Sequence, residues 1–409
     1  VVATKIANYL TEISPYELYV SSNKVAYSII VFKDNLYLAE IFSDVEHFQK
    51  KYTRILRYNR EFSSWEEIYT GSVTIDDLDD GSDSSYLICQ TIVFGAEKEA
   101  SSVLCVRFAS ISTEKLLFSK DGENFKVIGS KQQTILQLFA SRRLLSWRGR
   151  TYILPSGTSG VLKEYDRDVI YSSNTASLEQ WQESNPAGFG DPSNQRIAEL
   201  IIFDDRLYAG TVNLEKGFQL WQARDISQTP HNWEPVLVNG ANRYSLNQTV
   251  SSMVVFKNDL YVASGLFIDI SNERVKKLYP AGFELIRIYA DGEWDIIVGT
   301  PKFSKDGLKV PLSAMGEGFN EPYNCVVQQM VVHGDYLYLA TQKVENFQLW
   351  RTEDGETWEL VSVEDSITNY SEVEVRNAFS ASWGMIFVLD VAEPGGKEKV
   401  QICLADLIF

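Results

Sequence analysis

Four segments of this chain share one layout, and that repetition constrains the fold more than any other feature. They are Val31-Phe32-Lys33-Asp34-Asn35-Leu36-Tyr37-Leu38-Ala39, Ile202-Phe203-Asp204-Asp205-Arg206-Leu207-Tyr208-Ala209-Gly210-Thr211, Val255-Phe256-Lys257-Asn258-Asp259-Leu260-Tyr261-Val262-Ala263 and Val332-His333-Gly334-Asp335-Tyr336-Leu337-Tyr338-Leu339-Ala340-Thr341. Each places an apolar run, a polar break and a second apolar run in order, the pattern of two strands joined by a tight reversal. Small residues after the second run let a neighbouring backbone come close.

A second unit follows the first. Gly217-Phe218-Gln219-Leu220-Trp221 and Asn346-Phe347-Gln348-Leu349-Trp350-Arg351 are near copies, and Gly282-Phe283-Glu284-Leu285-Ile286-Arg287 is a relative. Each leads through a polar turn to a short strand at a large aromatic: Trp233, Trp358 or Trp294. Weaker copies of the first unit lie at 147–153 and 383–388, and of the second at 55–68 and 116–128.

One hairpin per repeat puts centres near Tyr37, Leu104, Tyr152, Tyr208, Tyr261, Tyr338 and Phe387. Their spacing averages about 58 residues, longer than the roughly 40 to 50 of common propeller blades. Rim loops at 70–85, 164–167, 269–279 and 302–320 account for the excess. A sheet with two apolar faces cannot bury both alone, whereas radial stacking of several sheets does so. The expected fold is therefore all-β: a single β-propeller over residues 1–409 with seven blades, six and eight being the open alternatives. The last repeat lacks a Trp-containing outer strand, and Tyr16-Glu17-Leu18-Tyr19-Val20 suits that gap. The N-terminal segment is thus expected to complete the last blade and close the ring.

Composition narrows the function classes. A chain that is 44% hydrophobic, with 9 Trp, 21 Tyr and 21 Phe, can fill a large core and is not disordered. Its net charge of -17, with no Lys/Arg-rich run, repels a phosphate backbone and argues against nucleic acid as a partner. No apolar stretch is long enough for a membrane span. Val1-Val2-Ala3-Thr4-Lys5 has neither an initiating Met nor a signal layout, so a preceding leader or domain and the compartment stay open. Cys89, Cys105, Cys325 and Cys403 sit in apolar surroundings and read as buried free thiols, although their even number leaves disulfides open.

Metal chemistry has one candidate. His47, His231 and His333 are isolated, and the latter two read as ordinary surface residues. The acidic run holding Asp76, Asp77, Asp79 and Asp83 offers several oxygen ligands and a flexible Gly81, so calcium competes there with a simple solvated loop.

Three related segments precede the inner strand of a repeat: residues 188–196, 240–247 and 316–324. In a propeller this connection crosses one face towards the central channel. Asp191, Asn194, Arg196, Arg243, Asn247, Glu321, Tyr323 and Asn324 are therefore the candidates to line a shared mouth. Arg196 and Arg243 suit an anionic ligand or a carboxylate partner. Glu321 with Tyr323 suits an acid/base or nucleophile-activating pair. The Asn and Gly residues equally suit capping and wedging between blades.

Two loops, Ser119-Lys120-Asp121-Gly122-Glu123-Asn124-Phe125 and Thr352-Glu353-Asp354-Gly355-Glu356-Thr357-Trp358, resemble the Asp-box of sialidase-like propellers, with Asp291-Gly292-Glu293-Trp294 a shortened copy. The resemblance implies a structural turn: Asp accepting backbone N–H bonds, Gly at positive φ and the aromatic plugging the space between sheets. The segments 282–288 and 318–324, with Trp294, are more particularly similar to the propeller domain of cyanobacterial enzymes that alkylate aromatic rings or carboxylates with alkyl chlorides. The functional expectation is a binding module that recognises a small molecule, glycan or protein on one face. The alternative is a channel-mouth enzyme, either alkylating a nucleophile with an alkyl halide or hydrolysing a glycoside. Arg196, Arg243, Asp191, Glu321 and Tyr323 would then cluster within hydrogen-bond reach.

Overall fold

A computed structural model describes residues 7–14, 18–19, 26–43, 51–73, 88–94, 102–109, 114–128, 141–155, 168–174, 180–266, 281–305, 307–342, 347–361, 370, 372–393 and 398–407. The architecture is all-β and of β-propeller type, built from antiparallel four-stranded units in chain order. Sheet A holds Ala26–Phe32, Asn35–Ser43, Lys51–Asn59 and Ser64–Val73. Sheet B holds Ile88–Phe94, Val103–Ala109, Glu114–Ser119 and Lys126–Ile128. Sheet C holds Ser141–Trp147, Arg150–Pro155, Tyr171–Asn174 and Gln182–Glu183. Sheet D holds Arg196–Phe203, Arg206–Val212, Leu220–Ala223 and Trp233–Leu237. Sheet E holds Thr249–Phe256, Asp259–Gly265, Leu285–Ile288 and Trp294–Val298. Sheet F holds Val326–His333, Tyr336–Gln342, Phe347–Thr352 and Glu359–Val361. Sheet G takes Glu372–Ala381, Gly384–Ala392 and Glu398–Leu407 from the C-terminal end, and Ala7–Glu12 pairs antiparallel with the last of these. Leu18–Tyr19 pairs further along the same strand. The main pairing segment thus lies before the expected 16–20.

The hairpin breaks fold because both central residues take positive φ, as at Lys33 and Asp34, Asp204 and Asp205, and Lys257 and Asn258. That geometry matches the right-handed twist of the flanking strands. The second strands are buried on both faces, which is why they read as near-continuous apolar runs: every residue of Arg206–Val212 is buried. Gly210 and Gly265 follow those runs because a Cβ there would lie 2.5 Å from Val250 Cβ and 2.4 Å from Val326 Cγ2 of the next sheet.

Each sheet packs on the next. Phe32 and Tyr37 of A meet Leu104 and Phe108 of B, and Ile92 of B meets Ile153 and Tyr171 of C. Tyr152 and Leu154 of C meet Ile197 and Leu207 of D, and Phe203 and Tyr208 of D meet Leu260 and Ile286 of E. Phe256 and Tyr261 of E meet Leu337 and Trp350 of F, and Tyr338 and Leu349 of F meet Val375 and Phe387 of G. Ile386 and Ile402 of G pack on Leu36 and Leu38 of A, where Ser382 N donates to Asp34 Oδ1 at 2.6 Å and Trp383 Nε1 to the Asp34 carbonyl at 2.9 Å. Each large side chain buried in these seams contributes about 1.5–3 kcal/mol.

The turns resembling the Asp-box join third to fourth strands. Asp354 Oδ1 accepts the backbone N–H groups of Glu356 and Thr357 at 2.8 and 2.6 Å, and Asp121 Oδ1 accepts those of Glu123 and Asn124 at 2.9 and 2.8 Å. Gly122 and Gly355 have φ of 81 and 84° and abut the hydroxyls of Tyr37 and Tyr261 in the preceding sheet. Trp358 is buried against Phe319. These turns therefore latch neighbouring sheets together.

Two expectations change. Part of the 302–320 insert, expected as a rim loop, is a hairpin of Lys302–Ser304 and Gly307–Lys309. His231 and His333 are buried rather than on the surface. The His231 ring bridges the Tyr152 hydroxyl at 3.1 Å and the Gln228 carbonyl at 2.8 Å, and His333 Nδ1 meets Ser380 Oγ at 3.0 Å. All four cysteines are free, and Cys89, Cys105 and Cys403 are buried. Asp76, Asp77, Asp79 and Asp83, the calcium candidates, lie outside the described residues. Among the described residues no helix is long and apolar enough to cross a membrane.

Candidate functional site

The three loop segments repeat a single hydrogen-bonded plug. Asn194, Asn247 and Asn324 are each buried, and each Nδ2 donates to a glycine carbonyl, of Gly188, Gly240 or Gly318, at 2.9 Å. The same amide donates to a second acceptor: Gln219 Oε1, Glu284 Oε2 or Gln348 Oε1, each at 2.7 Å. These asparagines cap backbone and tie the loop to the third strand.

In sheet E the acceptor is a carboxylate instead of an amide, and a charge network surrounds it. Glu284 is fully buried and accepts Thr300 N and Thr300 Oγ1 at 3.0 Å and Lys302 Nζ at 2.5 Å. Arg243 reaches Glu284 at 3.9 Å, donates to the Gly282 carbonyl at 2.6 Å and to Asn247 Oδ1 at 3.2 Å, and pairs with Glu317. Burial pushes the Lys302 ammonium down, opposed by Glu284, and lowers Arg243 in the same way. Each charge is matched inside the cluster, which anchors the 302–309 hairpin to its sheet.

Asp191 binds Lys216 Nζ at 2.9 Å and Gln219 Nε2 at 3.0 Å. Although burial raises its carboxyl, Lys216 and the Ser193 N–H hold it below its ordinary value. Glu321 Oε1 accepts the Tyr323 backbone N–H at 3.4 Å, while the Tyr323 side chain is exposed. Arg196 opens the first strand of sheet D, opposite Val212. Arg243 and Asp191 thus pair with residues outside the expected five, while Glu321 accepts the Tyr323 backbone N–H.

A cavity of about 440 Å³ lies where the first strands of sheets E, F and G open. Its lining follows the repeat register. The first strands of D, E and F each carry a one-residue irregularity after the second matched pair, at Ala198, Ser251 and Gln328, and that of G carries one after its fourth, at Arg376. A bulge re-aims the extra side chain, and Ser251, Gln328 and Arg376 all line the cavity. Two residues earlier stand Arg196, Thr249, Val326 and Glu374, the last three also in the lining. Gln342 and Asp390, the second-strand partners of Val326 and Glu374, complete the polar wall. Arg196 thus occupies the same register position on the adjoining strand.

Glu374 and Asp390 face each other across the strand pair. Burial raises both carboxyls, and Asp390 raises Glu374 further, while the Gln328 amide and Arg376 oppose this. Arg376 Nε meets Asp390 at 2.9 Å and Arg376 donates to the Tyr27 hydroxyl of sheet A at 3.0 Å. Burial pushes Tyr27 up to about 12 despite Arg376. Gln328 Oε1 accepts the Val375 N–H at 2.9 Å, fixing the amide between sheets F and G. Glu374, Asp390, Gln328, Ser251 and Tyr27 lie on strands, outside the loops that the repeat pattern singles out. Their signal is the alternation Glu372-Val373-Glu374-Val375-Arg376, polar residues interleaved with core valines. Among the described residues no group of three His, Cys, Asp or Glu side chains could hold a metal ion.

No family model and no curated protein matches the chain. Among solved structures it is similar to the β-propeller domain of the Trilobed protease from Pyrococcus furiosus, at 9% identity and a TM-score of 0.46, over 93% of this chain and 95% of that one. Pyrococcus horikoshii acylaminoacyl peptidase is similar at 11% identity and a TM-score of 0.45, over 99% of this chain, which spans about half (52%) of the peptidase. The GH43_1 enzyme from Xanthomonas citri, complexed with xylotriose, shares 12% identity at a TM-score of 0.30, over 74% of this chain and 92% of the other.

Proposed function

We propose that residues 1–409 form one seven-bladed β-propeller, closed by the strand Ala7–Glu12, that binds a small polar molecule in the cavity at its channel mouth. The unbroken series of seams from sheet A round to sheet G and back to A supports the ring. The latch geometry of the turns at Asp121 and Asp354 supports an Asp-box architecture. The observation that carries the binding reading is the cavity's construction: three neighbouring strands turn Ser251, Gln328 and Arg376 into one space of about 440 Å³, the size of a small-ligand site. Arg196, on the next strand, and Asp191, Glu321 and Tyr323, on the surrounding loops, are proposed as the approach to it, with Arg243 holding its loop through the Glu284 network. The test is a thermal-shift screen of sugars, amino acids, amines and organic acids on the protein and on Ser251→Trp, which puts an indole ring into the cavity. A ligand that stabilises the first and not the second supports the proposal; ligands that stabilise both equally overturn it.

A second reading, hydrolysis of a glycoside, rests on one observation. Two carboxyls held above their ordinary range stand directly opposite each other, which suits one as proton donor and the other as base. Turnover of aryl glycosides that disappears in both Glu374→Gln and Asp390→Asn supports it; no turnover across a panel of sugars removes it.

A further inference from the structure

The charge around the cavity is not closed. Two carboxylates, Glu374 and Asp390, share one guanidinium, and Arg376 is committed to Asp390 and to the Tyr27 hydroxyl. Among the described residues no Lys, Arg or His forms an ion pair with Glu374. The groups that face it are Gln328 from sheet F, Asp390 from the adjoining strand, and Arg376 and Glu372 from its own strand. The remaining walls are uncharged: the Gln342 amide with Leu266, Val326, Val327, Val375, Thr249 and Ser251.

Any ligand filling this space strips water from Glu374. A neutral polyol would replace some hydrogen bonds but leave the negative charge in a drier site, at a cost. An anion would add repulsion, within a chain whose net charge is already -17. A cation repays the desolvation directly and relieves the repulsion between Glu374 and Asp390. A bare divalent ion is held by clustered carboxylates or imidazoles, and among the described residues no group of three His, Cys, Asp or Glu side chains could hold one.

We infer that the ligand of this cavity is a small organic cation, an ammonium group seated on the Glu374 carboxylate, with a short apolar body against Leu266, Val326, Val327 and Val375. This rests on the proposed binding role of the cavity and narrows it to one chemical class. It also makes the Glu374–Asp390 pair a selectivity element: the uncompensated charge chooses the ligand's sign.

Titration calorimetry with n-hexylammonium, 1-hexanol and hexanoate separates the alternatives, because the three share one apolar body. At pH 7 the ammonium is expected to bind at least tenfold more tightly than the alcohol, and hexanoate not to bind. Glu374→Gln is expected to abolish the preference while leaving alcohol binding within about threefold, which shows that the variant cavity is intact. The preference is also expected to shrink as pH falls and Glu374 takes up its proton. Equal affinities for ammonium and alcohol, tighter binding of hexanoate, or a preference that survives Glu374→Gln overturns the inference. So does binding of none of the three probes. The library screen against Ser251→Trp decides separately whether the cavity binds anything, so the inference can fail while the binding role stands.

Discussion

Exchanging Glu284 for glutamine makes sheet E resemble its neighbours, and for that reason its cost is informative. In sheets D and F, Gln219 and Gln348 accept the buried asparagine amide at 2.7 Å, as Glu284 Oε2 does for Asn247. A glutamine at 284 can keep that bond. It cannot keep the Lys302 ammonium at 2.5 Å, and Lys302 is buried, as is most of Arg243. Arg243 retains Glu317, but Lys302 has no second carboxylate among its described contacts. Removing one partner of a buried pair costs about 3–5 kcal/mol, so Glu284→Gln should lower stability by roughly that amount. Lys302→Met alone leaves Glu284 with Asn247, Thr300 and the more distant Arg243, and should cost about 2–4 kcal/mol. The double variant recreates a neutral site in which methionine fills the lysine's path, and should lie within about 1–2 kcal/mol of the parent. The coupling energy is then at least about 3 kcal/mol. Urea unfolding followed by tryptophan fluorescence measures all three. A Glu284→Gln loss below about 1 kcal/mol, or strictly additive single variants, would refute the view that this network is a matched charge set anchoring the hairpin.

Two further outcomes follow from the latch turns. Gly355→Ala puts a Cβ 1.9 Å from the Tyr261 hydroxyl at a φ of 84° and should cost about 2–4 kcal/mol in urea unfolding; Tyr261→Phe should recover part of it, and a loss under about 0.5 kcal/mol would remove the contact from the account. Burial raises the Asp354 carboxyl, but the N–H groups of Thr357 and Glu356 hold it down to about 2. Its folded value is thus depressed, so its contribution is present above the unfolded value near 4 and fades as pH falls through 2. Since Asp354 is exposed, Asp354→Ala should cost only about 1 kcal/mol at pH 7, and the gap to the parent should narrow towards pH 2; a gap that is constant with pH would contradict this.

The second strands were legible because burial on both faces leaves their composition no freedom: Leu36 to Ala39, Leu207 to Ala209 and Leu337 to Ala340 are all buried. The turn chemistry at Asp121 and Asp354 was legible because it is local, with acceptor and donors within three residues. The cavity was not, because it is assembled by register. Asp390 meets Glu374 across a hairpin, and Ser251, Gln328 and Arg376 meet only when three sheets converge. The clue lay in aligning the first strands. Ile197, Val250, Val327 and Val375 are constant in character and buried, whereas their flanking pairs run Arg196 and Ala198, Thr249 and Ser251, Val326 and Gln328, and Glu374 and Arg376. Similarly, the change from Gln to Glu at 284 is visible in the repeat, while its partner Lys302 reaches it only because the chain folds back through a hairpin.

The central claim, that this propeller meets its ligand in the cavity between sheets E, F and G, is tested most directly by crystallography with a soaked library of small fragments. The account predicts that occupied sites concentrate in that cavity, with cationic fragments placed against Glu374. Fragments gathered elsewhere, such as on the exposed Phe303 and Leu308 of the 302–309 hairpin, with the cavity holding only solvent, would contradict it.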